Sequence, residues 1–159
     1  MDVYEQIEEM YAKKFKSKKT FGKKSIGDFH IDEHHAVNVK SNNVEKNNYS
    51  PNLISASRLL NYLSDDEKTL SFLFVNYKIV KGEVEIIDDT GLVPVEHLNW
   101  KCMTIQAQGK GVIQLSGELE IDKNQDKKAF MKGFKAALKV YINRERKKLD
   151  AMEIRADKI

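Results

Sequence analysis

The chain has 159 residues and a mass of 18.3 kDa, the size of one domain with one core rather than two. Hydrophobic residues at 41% and charged residues at 32% exclude a fibrous or disordered class, and 27 Lys plus Arg against 24 Asp plus Glu leave +3, too little charge to demand a polyanionic partner by itself. No apolar run approaches the ~20 residues that span a bilayer, so no membrane partner is expected and the expected compartment is the cytoplasm.

The opening MDVYEQIEEM is acidic and amphipathic, unlike a secretory signal. Val3, Ile7, Tyr11 and Phe15 recur every four positions and predict a helix over 3–16. A basic stretch follows, carrying Lys18, Lys19, Lys23 and Lys24 with no acid among them. Residues 25–31 and 35–41 predict a hairpin turning at 32–34, and the Asn-rich 42–51 predicts a loop. Leu53, Ala56, Leu60 and Leu63 predict a second amphipathic helix over 53–63. The apolar run 70–80 predicts a buried strand pairing with 84–87, followed by a turn at 88–91 and a further strand over 92–98. Residues 100–107 and 112–115 predict another hairpin. Its Gly109 and Gly111 suit a tight turn rather than a phosphate loop, because no GK[ST] closes it. Cys102 is the only cysteine, which excludes a disulfide framework and a cysteine zinc site, and its apolar neighbours predict a buried structural thiol. Phe130, Phe134, Leu138 and Tyr141 predict a long basic helix over 126–150. With no repeat and no linker, the pattern predicts an α+β (α/β-like) fold with a mixed central sheet flanked by helices.

The segment that carries chemistry is SIGDFHIDEHHAVNVKSNN, residues 25–43. Asp28 and Lys40 can reach the same end of the predicted hairpin. Side-chain alternation puts Asn38 and Lys40 on one face and Val37 and Val39 on the other. An oxygen-rich corner of this kind suits Mg²⁺, and an adjacent ammonium can orient or deprotonate a water and offset charge on a phosphate. The same Asp28 and Lys40 also fit a plain cross-strand ion pair, worth at most about 1 kcal/mol if exposed. His30, His34 and His35 cluster here too, without the further ligands a transition metal needs.

Gly27-Asp28, a ten-residue step, then Asn38-Val39-Lys40 resembles the PD-(D/E)xK nuclease superfamily and its smaller restriction-endonuclease-like members. The resemblance implies a single nuclease-like domain over 1–159 that hydrolyses DNA phosphodiesters with Mg²⁺, most simply as a type II restriction-type endonuclease. It implies Asp28 as principal metal ligand, Asn38 as auxiliary oxygen ligand and Lys40 as the group positioning the attacking water. Glu8, at the border of the first helix's apolar stripe, is the best-placed further ligand, ahead of Glu5 and Glu9. Asn38 departs from the family, which has an acid there. A weakened but active site, a compensated site, and a DNA- or partner-binding module that has lost cleavage all remain compatible with it. Double-stranded DNA is the implied partner, contacted by Lys18, Lys19, Lys23 and Lys24, by Ser41, Asn42, Asn43 and Tyr49, and by Gln108 and Lys110 at the second hairpin tip. Cutting both strands implies a homodimer.

Overall fold

The computed structural model describes residues 2–16, 27–46 and 49–159. Along the chain these form α1 (Val3–Lys14), β1 (Phe29–Asp32), β2 (His35–Asn43), β3 (Asn52–Ser55), α2 (Ala56–Leu63), β4 (Thr69–Val80), β5 (Glu83–Pro94), β6 (Met103–Gln106), β7 (Val112–Leu115) and α3 (Lys127–Asp157). They group into two compact units, Met1–Pro51 with Leu60–Val95 and Asn52–Leu59 with Glu96–Ile159. No described helix is long and apolar enough to cross a membrane.

The first unit is a four-stranded sheet in the order β1-β2-β4-β5. It is mixed, as the sequence predicts: β2 and β4 run parallel in unbroken register from His35↔Thr69 to Asn43↔Tyr77, and the other pairs are antiparallel. The interior strand β4 is apolar on both faces, as a strand paired on both edges and covered on both sides must be. Its one buried polar side chain, Ser71, is satisfied by His35 Nε2 at 2.8 Å. Helix α1 starts where the Asp2 carboxylate accepts the Glu5 N–H at 2.8 Å. It lays Ile7, Tyr11 and Ala12 on Phe29, Val37, Val39, Leu73, Val75 and Tyr77. The spacing that predicts the helix is therefore the spacing that builds this core.

The second unit pairs β3, β7 and β6 antiparallel in that order and packs α3 onto them. Phe130 and Phe134 of α3 clasp the Trp100 ring, each at 5.4 Å between centroids, and the indole N–H donates to the Phe130 carbonyl at 3.1 Å. Asp126 caps α3 by accepting from the Ala129 N–H.

Five expectations are corrected. Residues 53–55 are strand, not helix: Leu53 and Ile54 are both buried, and the Ser55 hydroxyl accepts from the Arg58 N–H, so the helix begins only at Ala56. Residues 88–91 make no chain reversal. β5 runs through them to Pro94 with register shifts opposite Val75 and Tyr77, and the positive φ of Gly91 (68°) absorbs part of the irregularity. Beyond Pro94 the chain forms a 3-10 turn at Val95–His97 instead of the predicted strand over 92–98. The 42–51 loop is also shorter, since β2 continues to Asn43, and the terminal helix is longer, reaching Asp157.

Candidate active site

The backbone at Gly27 sets the geometry. Its φ of +81° and the approach of the Val37 carbonyl to 3.0 Å from where a Cβ would stand leave room for glycine alone. Asp28 then takes up the pairing with β2: its N–H donates to the Val37 carbonyl at 2.7 Å, and its Oδ2 accepts from the Val39 N–H at 2.6 Å. A carboxylate thus continues the ladder beyond the end of β1, which fixes its orientation at the edge of β2.

Lys40 comes next along that edge. Opposite Asn38 and Lys40 in register stand Phe72 and Phe74, both buried, their rings 5.9 Å apart. In this half-buried apolar setting desolvation pushes the Lys40 ammonium below the ordinary lysine range, while the Asp28 and Glu8 carboxylates act in the opposite direction. Asp28, Glu8 and Lys40 therefore share one electrostatic environment, although Glu8 lies 20 residues before Asp28 in the chain. Asn38 is half-buried and, by alternation, on Lys40's face of β2, opposite Val37 and Val39.

The candidate donors near Lys40, the Asp28 and Glu8 carboxylates, are hard, while Asn38 stands on the β2 face away from α1. Among the described residues no three His, Cys, Asp or Glu side chains converge as a ligand group. The residues fit an ion that keeps several waters, which is the habit of Mg²⁺, and do not fit an ion needing a full protein cage. His30 is half-buried on β1, His34 is exposed in the turn, and His35 is held by Ser71.

The other expected contacts scatter. Lys18, Lys19, Lys23 and Lys24 lie outside the described residues. Ser41, Asn42 and Asn43 follow Lys40 on β2 and are half-buried. Asn42 is engaged within the sheet, where its amide donates to Asn76 Oδ1 at 3.1 Å and Asn76 in turn donates to Asp88 Oδ1 at 2.7 Å. This ladder across β2, β4 and β5 was flagged in the sequence only by Asn76, a polar residue inside an apolar run. Tyr49 is half-buried with its hydroxyl shielded and no partner among the described residues, and burial pushes its phenol upward. Gln108 and Lys110 are exposed on the β6–β7 tip of the second unit, where Gln108 accepts from the Asn52 amide at 2.9 Å. Cys102 is buried and its thiol donates to the Asn99 carbonyl at 3.1 Å; burial raises its pKa, so it is the structural thiol the sequence predicts.

A cavity of about 340 Å³ lies elsewhere on the first unit, between Met10, Tyr11 and Lys14 of α1 and Ile86–Asp89 of β5. There the Tyr11 hydroxyl donates to Asp89 Oδ2 at 2.8 Å. Burial works against the Asp89 carboxylate, but the Tyr11 and Gly91 hydrogen bonds and nearby Lys14 hold it below its ordinary pKa. No sequence pattern links these groups, which are 78 positions apart.

Neither a family model nor a curated protein matches this chain. Among solved structures it is similar to the NlaIV restriction endonuclease, with a TM-score of 0.54 and 12% identity over 85% of this chain and 62% of that one. The chain thus spans less than two thirds of that neighbour's length. The likeness establishes a restriction-endonuclease-like fold.

Proposed function

We propose that this protein is a divalent-metal-dependent DNA endonuclease of restriction type, with residues 1–159 acting as one nuclease-like domain. What supports the reading is a desolvated Lys40 whose pKa both the Asp28 and Glu8 carboxylates raise, with Asp28 held by the Val39 N–H, within a fold similar to a restriction endonuclease. Asp28 and Glu8 would hold Mg²⁺, with the Asn38 carboxamide lending an oxygen. A bound Mg²⁺ supplies charge to polarise a phosphoryl oxygen and acidify a water.

The chain's own residues supply the remainder. The Val39 N–H fixes Asp28, so one carboxylate oxygen is oriented before any ligand arrives. Lys40, in its charged form, positions the attacking water and offsets charge growing on the phosphate. Exposed Lys13 and Lys14 at the end of α1 lead into the basic segment that would meet the phosphodiester backbone. Cutting both strands of a duplex with one site per chain requires two copies.

The direct test is cleavage of supercoiled plasmid with Mg²⁺. Wild-type protein should convert it and EDTA should stop it. Asp28→Asn and Lys40→Ala should each cut at least a hundredfold more slowly while remaining folded. Unchanged cutting by either variant would refute the assignment.

Asn38 favours a second reading, a nuclease fold that binds DNA or a protein and no longer cuts. A neutral carboxamide contributes an oxygen but no charge to a metal site. Asn38→Asp separates the two: restored or raised cleavage marks a weakened enzyme, whereas salt-sensitive duplex binding without cleavage in both forms marks the binding module.

A further inference from the structure

We propose that the distal half of α3 is one strand of a parallel two-helix coiled coil formed with a second copy of this chain. Helix α3 is 31 residues long, and its buried residues, Phe130 and Phe134, both lie in its first half. Further along, the Arg144 guanidinium donates to the Ile105 carbonyl at 2.8 Å. Every residue from Arg146 to Ile159 is exposed. The stretch from Arg146 to the helix end is about 18 Å long at 1.5 Å per residue. A helix of that length with nothing against it is marginal in water, so packing must support it.

The sequence of that half carries the pattern such packing needs. Leu138, Ile142, Leu149, Met152 and Ala156 are spaced 4, 7, 3 and 4, which is a heptad a/d seam with Glu145 filling the one vacant d position. Ile142, Leu149 and Met152 are 40%, 62% and 54% exposed, values that leave this apolar stripe uncovered, while Val140 and Ile154 are exposed outside it.

Flanking charge selects the occupant and its direction. In this register Lys148 is a g position and Glu153 the e position of the next heptad. In a parallel pair of identical chains each Lys148 meets the other copy's Glu153, twice over, with no like-charged g–e pair opposing them. An antiparallel pair would gain Arg146 against Glu153 but set Lys148 against Arg155, cation on cation. Glu145 would face its own copy across the seam, an arrangement that lowers affinity and pins the register; its carboxylate is held by Lys148 at 3.3 Å, which offsets the repulsion.

The test is sedimentation equilibrium on the full chain without metal or DNA, with helicity followed by circular dichroism. Wild-type protein should show a concentration-dependent species of twice 18.3 kDa. Leu149→Glu and Met152→Glu should each leave only the 18.3 kDa form, and Glu145→Leu should lower the dimer Kd at least tenfold. Glu153→Lys should weaken the dimer, and Lys148→Glu combined with Glu153→Lys should restore it. A wild-type chain that stays monomeric, or a dimer indifferent to Leu149→Glu and Met152→Glu, overturns the proposal. Failure of the double charge reversal to restore association overturns the parallel pairing. Because this inference rests on the helix and not on the chemistry, a chain that stays monomeric yet nicks plasmid overturns the coiled coil and leaves the roles of Asp28 and Lys40 standing.

Discussion

Asp28 does two separable things, and a pair of substitutions pulls them apart. Its Oδ2 accepts the N–H of Val39, a residue only 8% exposed, at 2.6 Å. Asp28→Ala removes that acceptor and strands a buried donor, which costs about 1–3 kcal/mol. In a chain of this length about 1 kcal/mol corresponds to about 2–4 °C in Tm, so the alanine variant should melt about 2–12 °C lower. Asp28→Asn keeps a carbonyl oxygen for Val39 but loses the charge, and a neutral bond is about half as strong, so its loss should be about 1 kcal/mol. Both variants lose the carboxylate a divalent ion would need. Thermal melts without metal, amide exchange at Val39 and plasmid cleavage with Mg²⁺ should therefore give a graded stability series and an all-or-none activity series. Equal melting of the two variants would refute the structural role of the hydrogen bond; cleavage by Asp28→Asn would refute its role as a ligand.

Lys40, lowered by burial from the ordinary 10.5, should impose an alkaline limb on cleavage with its inflection below that value. Glu8→Gln removes a charge that raises Lys40, so the inflection should move to lower pH; an unmoved limb would separate Glu8 from the site. For the same group, the folded chain holds its proton less tightly than the unfolded chain. Stability should therefore rise as pH climbs from the lowered pKa towards 10.5, and Lys40→Met should flatten that rise in denaturant titrations at several pH values. Tyr11→Phe removes the hydrogen bond to the exposed Asp89 and should cost about 1 kcal/mol by urea unfolding at pH 7, with a smaller difference at a pH low enough to protonate Asp89. Gly133→Ala would drive a methyl into the Trp100 ring and should destabilise by about 1–3 kcal/mol, visible as altered tryptophan emission and a lower unfolding midpoint.

Much of this was legible because local period and tertiary environment agree. Strict alternation over Val37–Lys40 separates buried Val37 and Val39 from half-buried Asn38 and Lys40, and the apolar run ending at Val80 marks the interior strand. Agreement fails at Leu53, where helical spacing with Ala56, Leu60 and Leu63 hides a strand. Leu60, expected inside, is 45% exposed, because β7 claims Leu53 and Ile54 and shifts the buried face. It fails again at Asp88–Gly91, whose turn chemistry is used for a bulge inside β5. The Tyr11–Asp89 bond was invisible for another reason: it joins groups 78 positions apart, which no window of sequence spans.

The most direct test of the central claim is where a paramagnetic divalent ion binds. With Mn²⁺ titrated into uniformly labelled protein, the amides of Asp28, Val39 and Lys40 should broaden first, together with Glu8, and Asp28→Asn should abolish that broadening. Broadening confined to Asp88 and Asp89, or unchanged by Asp28→Asn, would contradict a metal site at the edge of β2.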